Sequence, residues 1–167
     1  MNRRKSLITL FGLSLFAAGT RPALTKEEAK PMLNKSKAEW ARLLPAPAYQ
    51  VLFEEATERA GSSPLNNEKR DGSFVCAACF QPLFDSKTKY ESGTGWPSFW
   101  EALPGALGTR TDFKLILPRT EYHCSRCGGH QGHVFDDGPK PTGKRYCNNG
   151  VALAFVARGE KLPDLRT

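Results

Sequence analysis

Two Cys-x-x-Cys pairs set the strongest constraint on what this chain of 167 residues can fold into. Cys76-Ala77-Ala78-Cys79 and Cys124-Ser125-Arg126-Cys127 are separated by 44 residues. Each pair has the spacing of a knuckle, a tight turn between short extended segments that aims both sulfurs at one ion. If the two knuckles share an ion, residues 80–123 must loop out and return, and the middle of the chain is closed on itself. A four-thiolate site of this kind suits one structural Zn2+ per chain. It leaves no open coordination position and contributes folding free energy directly. Two disulfides, or a redox-active Cys-x-x-Cys, are the competing readings. A mixed site from Cys124, Cys127, His130 and His133 is a further alternative, but it would strand Cys76 and Cys79.

The fifth cysteine, Cys147, is left over from that arithmetic. A thiol outside a closed metal site is a candidate nucleophile, provided its neighbours stabilise the thiolate. It lies in Lys144-Arg145-Tyr146-Cys147-Asn148-Asn149-Gly150, which reads as an extended segment. Alternate residues of such a segment share a face, so Arg145, Cys147 and Asn149 are expected to project together. A lone cysteine packed in a strand is the competing reading, which the polar Asn148-Asn149-Gly150 disfavours. His130 and His133, set among glycines, can supply a proton donor and a hydrogen-bonding partner near neutral pH. The loop Gly93-Thr94-Gly95-Trp96-Pro97-Ser98-Phe99-Trp100 carries three aromatics. Phe99 and Trp100 read as core anchors, whereas Trp96, between Gly95 and Pro97, is the candidate wall of a pocket for a small apolar group.

Charge excludes one class of partner. The chain has 24 basic and 17 acidic residues, a net +7, but four of the basic ones fall in residues 1–24, where there is no acid. The remainder, 20 against 17, is an ordinary soluble surface that does not suggest nucleic acid. Residues 1–24 pair the basic start Met1-Asn2-Arg3-Arg4-Lys5 with an apolar stretch too short to span a bilayer. This reads as a signal peptide, and Arg3-Arg4 before Ser6-Leu7 resembles a twin-arginine export signal. The expected location is therefore exported and periplasmic, the alternative being an uncleaved membrane anchor. Export in the folded state would allow metal loading before transport.

The rest divides into a linker at 25–35, one domain at 36–157 and a C-terminal tail at 158–167. Ser36 with Glu39 forms a capping box for a helix over 36–44, with Trp40, Leu43 and Leu44 on one face. Pro45 and Pro47 are expected to break it before a second helix over 48–59. A loop at 61–72 follows. Beyond it come short β segments at 73–75, 81–84, 111–117, 121–123, 133–135 and 151–157, a mainly β, antiparallel architecture.

The two knuckles, Gly-Thr-Gly-Trp-Pro-Ser-Phe at 93–99 and the block from His130 to Asn149 (Gly-His-x-Gly-His-Val-Phe-Asp-Asp-Gly-Pro, then Arg-Tyr-Cys-x-Asn) together resemble methionine sulfoxide reductase B. The similarity runs from about residue 37 to 155. It implies two antiparallel β-sheets with short N-terminal helices, and Zn2+ on Cys76, Cys79, Cys124 and Cys127. Cys147 would attack the sulfur of methionine-R-sulfoxide, free or in oxidised proteins. His130, His133 and Asn149 would position the oxygen and deliver protons, Arg145 would support the thiolate, and Trp96 would hold the substrate methyl group. The chain is expected to be a monomer served by a thioredoxin-like or small-thiol reductant. It departs from the family pattern at Thr94, where many members have a resolving cysteine, and at Asn148, where an apolar residue is usual. A phenylalanine common in the family is also missing from residues 57–65. A zinc-ribbon module binding protein or nucleic acid, a disulfide-framework domain and a cysteine hydrolase are the competing functional classes.

Overall fold

The computed structural model describes residues 33–114 and 117–167, so the expected signal peptide and most of the linker lie outside the described residues. Helix α1 spans Lys37–Leu43 with Ser36 as its cap. The Ser36 hydroxyl accepts from the Glu39 N–H while the Glu39 carboxylate accepts from the Ser36 N–H at 2.7 Å, so two otherwise unpaired donors are satisfied reciprocally. Helix α2 spans Ala46–Glu54 and does not wait for the prolines to pass, as the sequence reading expected. Pro45 is its cap and Pro47 lies in its first turn, where a missing N–H costs nothing because no intrahelical acceptor is available there. The helix also ends at Glu54, five residues short of 59, where its C-cap Glu55 takes the left-handed conformation with φ 55°. Trp40 of α1 stacks on Phe53 of α2 at 5.0 Å, and Val51 and Leu52 are buried toward the sheets.

Nine strands follow among the described residues: β1 Gly72–Cys76, β2 Pro82–Asp85, β3 Lys89–Tyr90, β4 Ser98–Phe99, β5 Leu107–Asp112, β6 Arg119–Cys124, β7 His130–Phe135, β8 Arg145–Asn148 and β9 Leu153–Ala157. They form two antiparallel sheets, ordered β2-β1-β9 and β3-β4-β8-β7-β6-β5. The mainly β architecture with short N-terminal helices is as the sequence led one to expect. One strand is displaced: β5 ends at Asp112 and does not run over 111–117, because the Asp112 side chain turns back to accept from the Lys114 N–H at 2.8 Å. The stretch 61–72 is not wholly irregular, since Pro64–Asn67 forms a 3₁₀ turn capped by Ser63.

An aromatic cluster fills the core. Phe84 stacks on Phe99 at 4.1 Å, Phe74 meets Phe99 edge-on at 4.9 Å, and Tyr122 meets Tyr146 edge-on at 5.3 Å. Phe74, Phe84, Phe99 and Tyr122 are fully buried, and such pairs add to what burial of their area contributes. Phe99 is thus the anchor the sequence suggested, while Trp100 is only half-buried. The C-terminal tail has no regular structure, yet it is pinned to both knuckles. Arg166 donates its N–H to the Cys79 carbonyl at 3.1 Å and accepts from the Arg126 guanidinium at 2.7 Å.

Candidate active site

The two knuckles converge. The four sulfurs of Cys76, Cys79, Cys124 and Cys127 are buried and lie within 4.8 Å of one another. Cys76 and Cys127 approach to 3.7 Å and Cys79 and Cys124 to 3.5 Å, while all five cysteines are free. A disulfide needs about 2.05 Å. Tetrahedral ligands about 2.3 Å from a metal ion lie about 3.8 Å from each other. The cluster therefore fits a four-coordinate metal and not a pair of disulfides. Cys124 and Cys127 complete this set with Cys76 and Cys79, so the mixed site with His130 and His133 does not form.

The opposite end of the chemistry is built across the larger sheet. Strand register places Ser98 beside Cys147, Cys147 beside His133, His133 beside Glu121 and Glu121 beside Arg110. Directly paired residues share a face, so a serine, a thiol, an imidazole, a carboxylate and a guanidinium form one row. Gly132, next to His133, must be glycine: a Cβ there would lie 1.9 Å from the Cys147 carbonyl oxygen.

His130 and His133 are three apart, and regular alternation would put them on opposite faces. A β-bulge prevents this. Tyr122 pairs with Gly132 and His123 with His130, which leaves Gln131 as the extra residue of β7. The two imidazoles end up 5.4 Å apart on the same side. The side chain of Gln131 points the other way and donates to Cys76 Sγ at 3.4 Å. Its carbonyl accepts from the Asn149 N–H at 2.8 Å and from Asn149 Nδ2 at 3.0 Å.

Cys147 is half-buried at a cavity of about 130 Å³. Trp96, His133 and Asn149 share its walls, joined by Thr57, Arg119, Gly132 and Phe135. Three of the residues expected around the thiol thus meet it. His130 does not border this cavity. It lines an adjoining one, which has His133, Thr57 and Arg119 in common with the first. His130 is buried, with Nδ1 2.7 Å from Glu121 Oε1. His123 also reaches Glu121, at 3.2 Å. Arg145 is not a wall of the cavity either. Its guanidinium is held by both oxygens of Asp137 at 2.8 Å and lies 4.3 Å above the Phe135 ring.

Electrostatics decide the resting protonation states. Burial pushes the Cys147 thiol up from its ordinary 9.0, and the Thr94 hydroxyl and the Arg145 cation, acting in the other direction, do not outweigh it. Arg145 pulls toward the thiolate, as the sequence suggested, but with Thr94 it does not make the thiolate the resting form. Burial is the larger effect, and the Asp137 carboxylate paired with Arg145 adds to it. Burial likewise lowers His133, with the Asp112 carboxylate, 2.7 Å from Nε2, opposing. His133 is neutral at pH 7. Glu121 is raised by burial, but hydrogen bonds from His123 and His130 and the Arg110 charge prevail and hold it at about 2. The row therefore carries a fixed carboxylate that orients His130.

Sequence reasoning missed these orienting acids, Glu121 and Asp112, and also Glu58. The Glu58 backbone N–H donates to Asn149 Oδ1 at 3.1 Å, and its carbonyl accepts from Trp96 Nε1 at 3.2 Å. Register could have found Glu121, which is paired with His133. Nothing local announces Glu58, which is 91 residues from Asn149.

A mainly β domain that joins a buried four-thiol cluster to one separate thiol, walled by an indole, an imidazole and an amide, defines a class of thiol-chemistry proteins with a structural metal site. Comparison with known proteins places the chain within that class. A family model described as the SelR domain matches residues 44–157. The peptide methionine sulfoxide reductase MsrB of Methanosarcina barkeri is 47% identical over 133 residues, covering 79% of this chain and 94% of that protein. The MsrB of Agrobacterium fabrum is 48% identical over 126 residues, 75% of this chain and 93% of that one. The chloroplastic peptide methionine sulfoxide reductase B1 of Arabidopsis thaliana is 39% identical over 156 residues, 92% of this chain and 77% of that one. The chain belongs to the SelR family, the methionine sulfoxide reductase B family that its motifs resemble.

Proposed function

We propose that the protein reduces methionine-R-sulfoxide to methionine at the expense of thiols, and so repairs oxidised proteins. The observation that carries this reading is the shared cavity of Cys147, Trp96, His133 and Asn149 in a chain of this family. A sulfoxide sulfur becomes electrophilic when its oxygen is protonated or strongly hydrogen-bonded, so the site needs a sulfur nucleophile and donors facing one small group. Cys147 attacks the substrate sulfur. The S–S bond so formed and the substrate S–O bond then break as the oxygen passes to Cys147 Sγ, which leaves Cys147 as sulfenic acid and releases methionine with its sulfur reduced.

Asn149 is oriented for its part. With Oδ1 engaged by Glu58 and one Nδ2 hydrogen by Gln131, the other hydrogen remains to donate to the sulfoxide oxygen. His133 and the Glu121-oriented His130 hold and move the protons. The Trp96 ring receives the methyl group, and Arg145 and Thr94 stabilise negative charge on Cys147 as it forms. Because the resting thiol is neutral, one proton leaves Cys147 as the oxygen gains one, with no net exchange.

Zn2+ on Cys76, Cys79, Cys124 and Cys127 would supply structural stability and no open coordination position. Since those four thiols are clustered, none is left to resolve the sulfenic acid, and Thr94 occupies the position beside Cys147. An outside thiol condenses with the sulfenic acid, releasing water, and a second thiol frees Cys147 as a disulfide forms; a thioredoxin-like protein or a small thiol fills this role. The protein works as an exported monomer.

Turnover of both sulfoxide epimers with dithiothreitol tests the reading. Reduction of the R epimer by the native protein and none by Cys147→Ser is expected. Reduction of the S epimer alone, or of neither, overturns it.

A further inference from the structure

Two walls of the Cys147 cavity, Trp96 and Asn149, are both held by a single residue of the irregular segment after α2. The Glu58 N–H holds the Asn149 side-chain oxygen and the Glu58 carbonyl holds the Trp96 indole N–H, at 3.1 and 3.2 Å. Backbone groups of an irregular segment hold a partner only as well as the segment itself is held. The Glu58 side chain supplies that anchorage. Its Oε1 accepts from the Gly150 N–H at 2.5 Å and its Oε2 from the Val151 N–H at 3.1 Å. These are the first donors of the 3₁₀ turn Gly150–Ala152, whose own cap residue, Asn149, offers them no side-chain bond. Position 150 is closed to any larger residue, because a Cβ there would lie 1.9 Å from Ser63 Oγ and 3.2 Å from Glu58 Oε1.

We infer that Glu58 is a positioning residue for the sulfoxide site: its carboxylate locks residues 58 and 149–151 together, and through its own backbone it sets Trp96 and Asn149 relative to Cys147. Both carboxylate oxygens face N–H donors, so an acceptor is needed at each. Glutamine supplies only one, and alanine neither. The inference rests on the reductase reading above.

The test combines activity, a spectroscopic signal and rescue. Glu58→Ala is expected to lower kcat/KM for methionine-R-sulfoxide by about 10- to 100-fold, the cost of a lost charge-assisted pair expressed in the transition state. It should also shift the Trp96 indole resonance in a 1H–15N spectrum, the resonance being identified by its absence in Trp96→Phe. Formate, which fits the half-exposed gap, should restore part of the rate in Glu58→Ala and none in Cys147→Ser. A kcat/KM within twofold of native, an unmoved Trp96 resonance, or a loss that formate leaves untouched would overturn the inference. Should Glu58→Ala fail to fold, Glu58→Gln takes its place, with a smaller loss and a shifted resonance expected, and native values for both as the contrary result. If the native protein proves inactive on the R epimer, the reductase reading falls, and the indole resonance alone decides what Glu58 does.

Discussion

Asn148 allows the sharpest quantitative prediction, because it is a fully buried amide where the family usually has an apolar residue. Its Oδ1 accepts from the Tyr122 hydroxyl at 2.8 Å, and its Nδ2 donates to the Asn149 carbonyl at 2.8 Å and, weakly, to Gln131 Oε1 at 3.4 Å. Burial drives the Tyr122 pKa well up, so that hydroxyl remains a donor at any working pH. Asn148→Ala strands the hydroxyl, whereas the Asn149 carbonyl keeps the Ala152 N–H at 3.1 Å. A buried group left without its partner costs about 1–3 kcal/mol, and the small cavity adds about 1 kcal/mol, a loss of about 2–4 kcal/mol. For a domain of this size that is a drop in Tm of roughly 8–16 °C at about 4 °C per kcal/mol. Tyr122→Phe, which strands only the amide, should cost about 1–2 kcal/mol. Adding Tyr122→Phe to Asn148→Ile should cost clearly less than the sum of the singles, since both polar partners then leave together. Urea and thermal unfolding of all variants, with metal in fixed excess, gives the cycle. An Asn148→Ala loss below about 1 kcal/mol, or strict additivity in the cycle, refutes the reasoning.

Two further outcomes follow from the site. Stripping metal with a chelator should unfold the domain cooperatively, and Cys76→Ser should behave like stripped protein, because an unfilled four-thiol pocket leaves buried sulfurs with no compensating bonds; circular dichroism with metal analysis reads it, and an intact fold without metal is the contrary result. Alkylation of Cys147 by iodoacetamide should accelerate with pH to an inflection above 9.0, and higher still in Arg145→Ala. The fold favours the neutral thiol, so stability from this group is full below pH 9.0 and falls as pH rises past it. An inflection near or below about 8 would mean that Arg145 outweighs burial after all.

What the sequence disclosed was whatever its physics keeps local. The capping box of Ser36 and Glu39, the two knuckles and the extended run carrying Arg145 and Cys147 depend on neighbours two or three residues away, and each appears where expected. Helix α2 and strand β5 moved because single residues overrode a pattern: Pro47 is harmless in a first turn, and Asp112 closes a turn on Lys114. The histidines were picked out by composition, yet their common face depends on an extra residue in β7 that no periodicity reveals. Glu121 and Glu58 were illegible for a related reason. Each acts on partners brought near only by the completed sheet, and a lone glutamate in an acidic or polar stretch looks like any solvated one.

The bulge at Gln131 gives that residue two ends with different loyalties. Its amide is a neighbour of Cys76 in the four-thiol cluster, and its carbonyl is the rest against which Asn149 leans. Gln131 therefore ties the four-thiol cluster to Asn149, a wall of the Cys147 cavity. Oxidative damage to the cluster would thus act twice: it would remove the staple that holds the fold, and it would loosen the residue on which Asn149 rests.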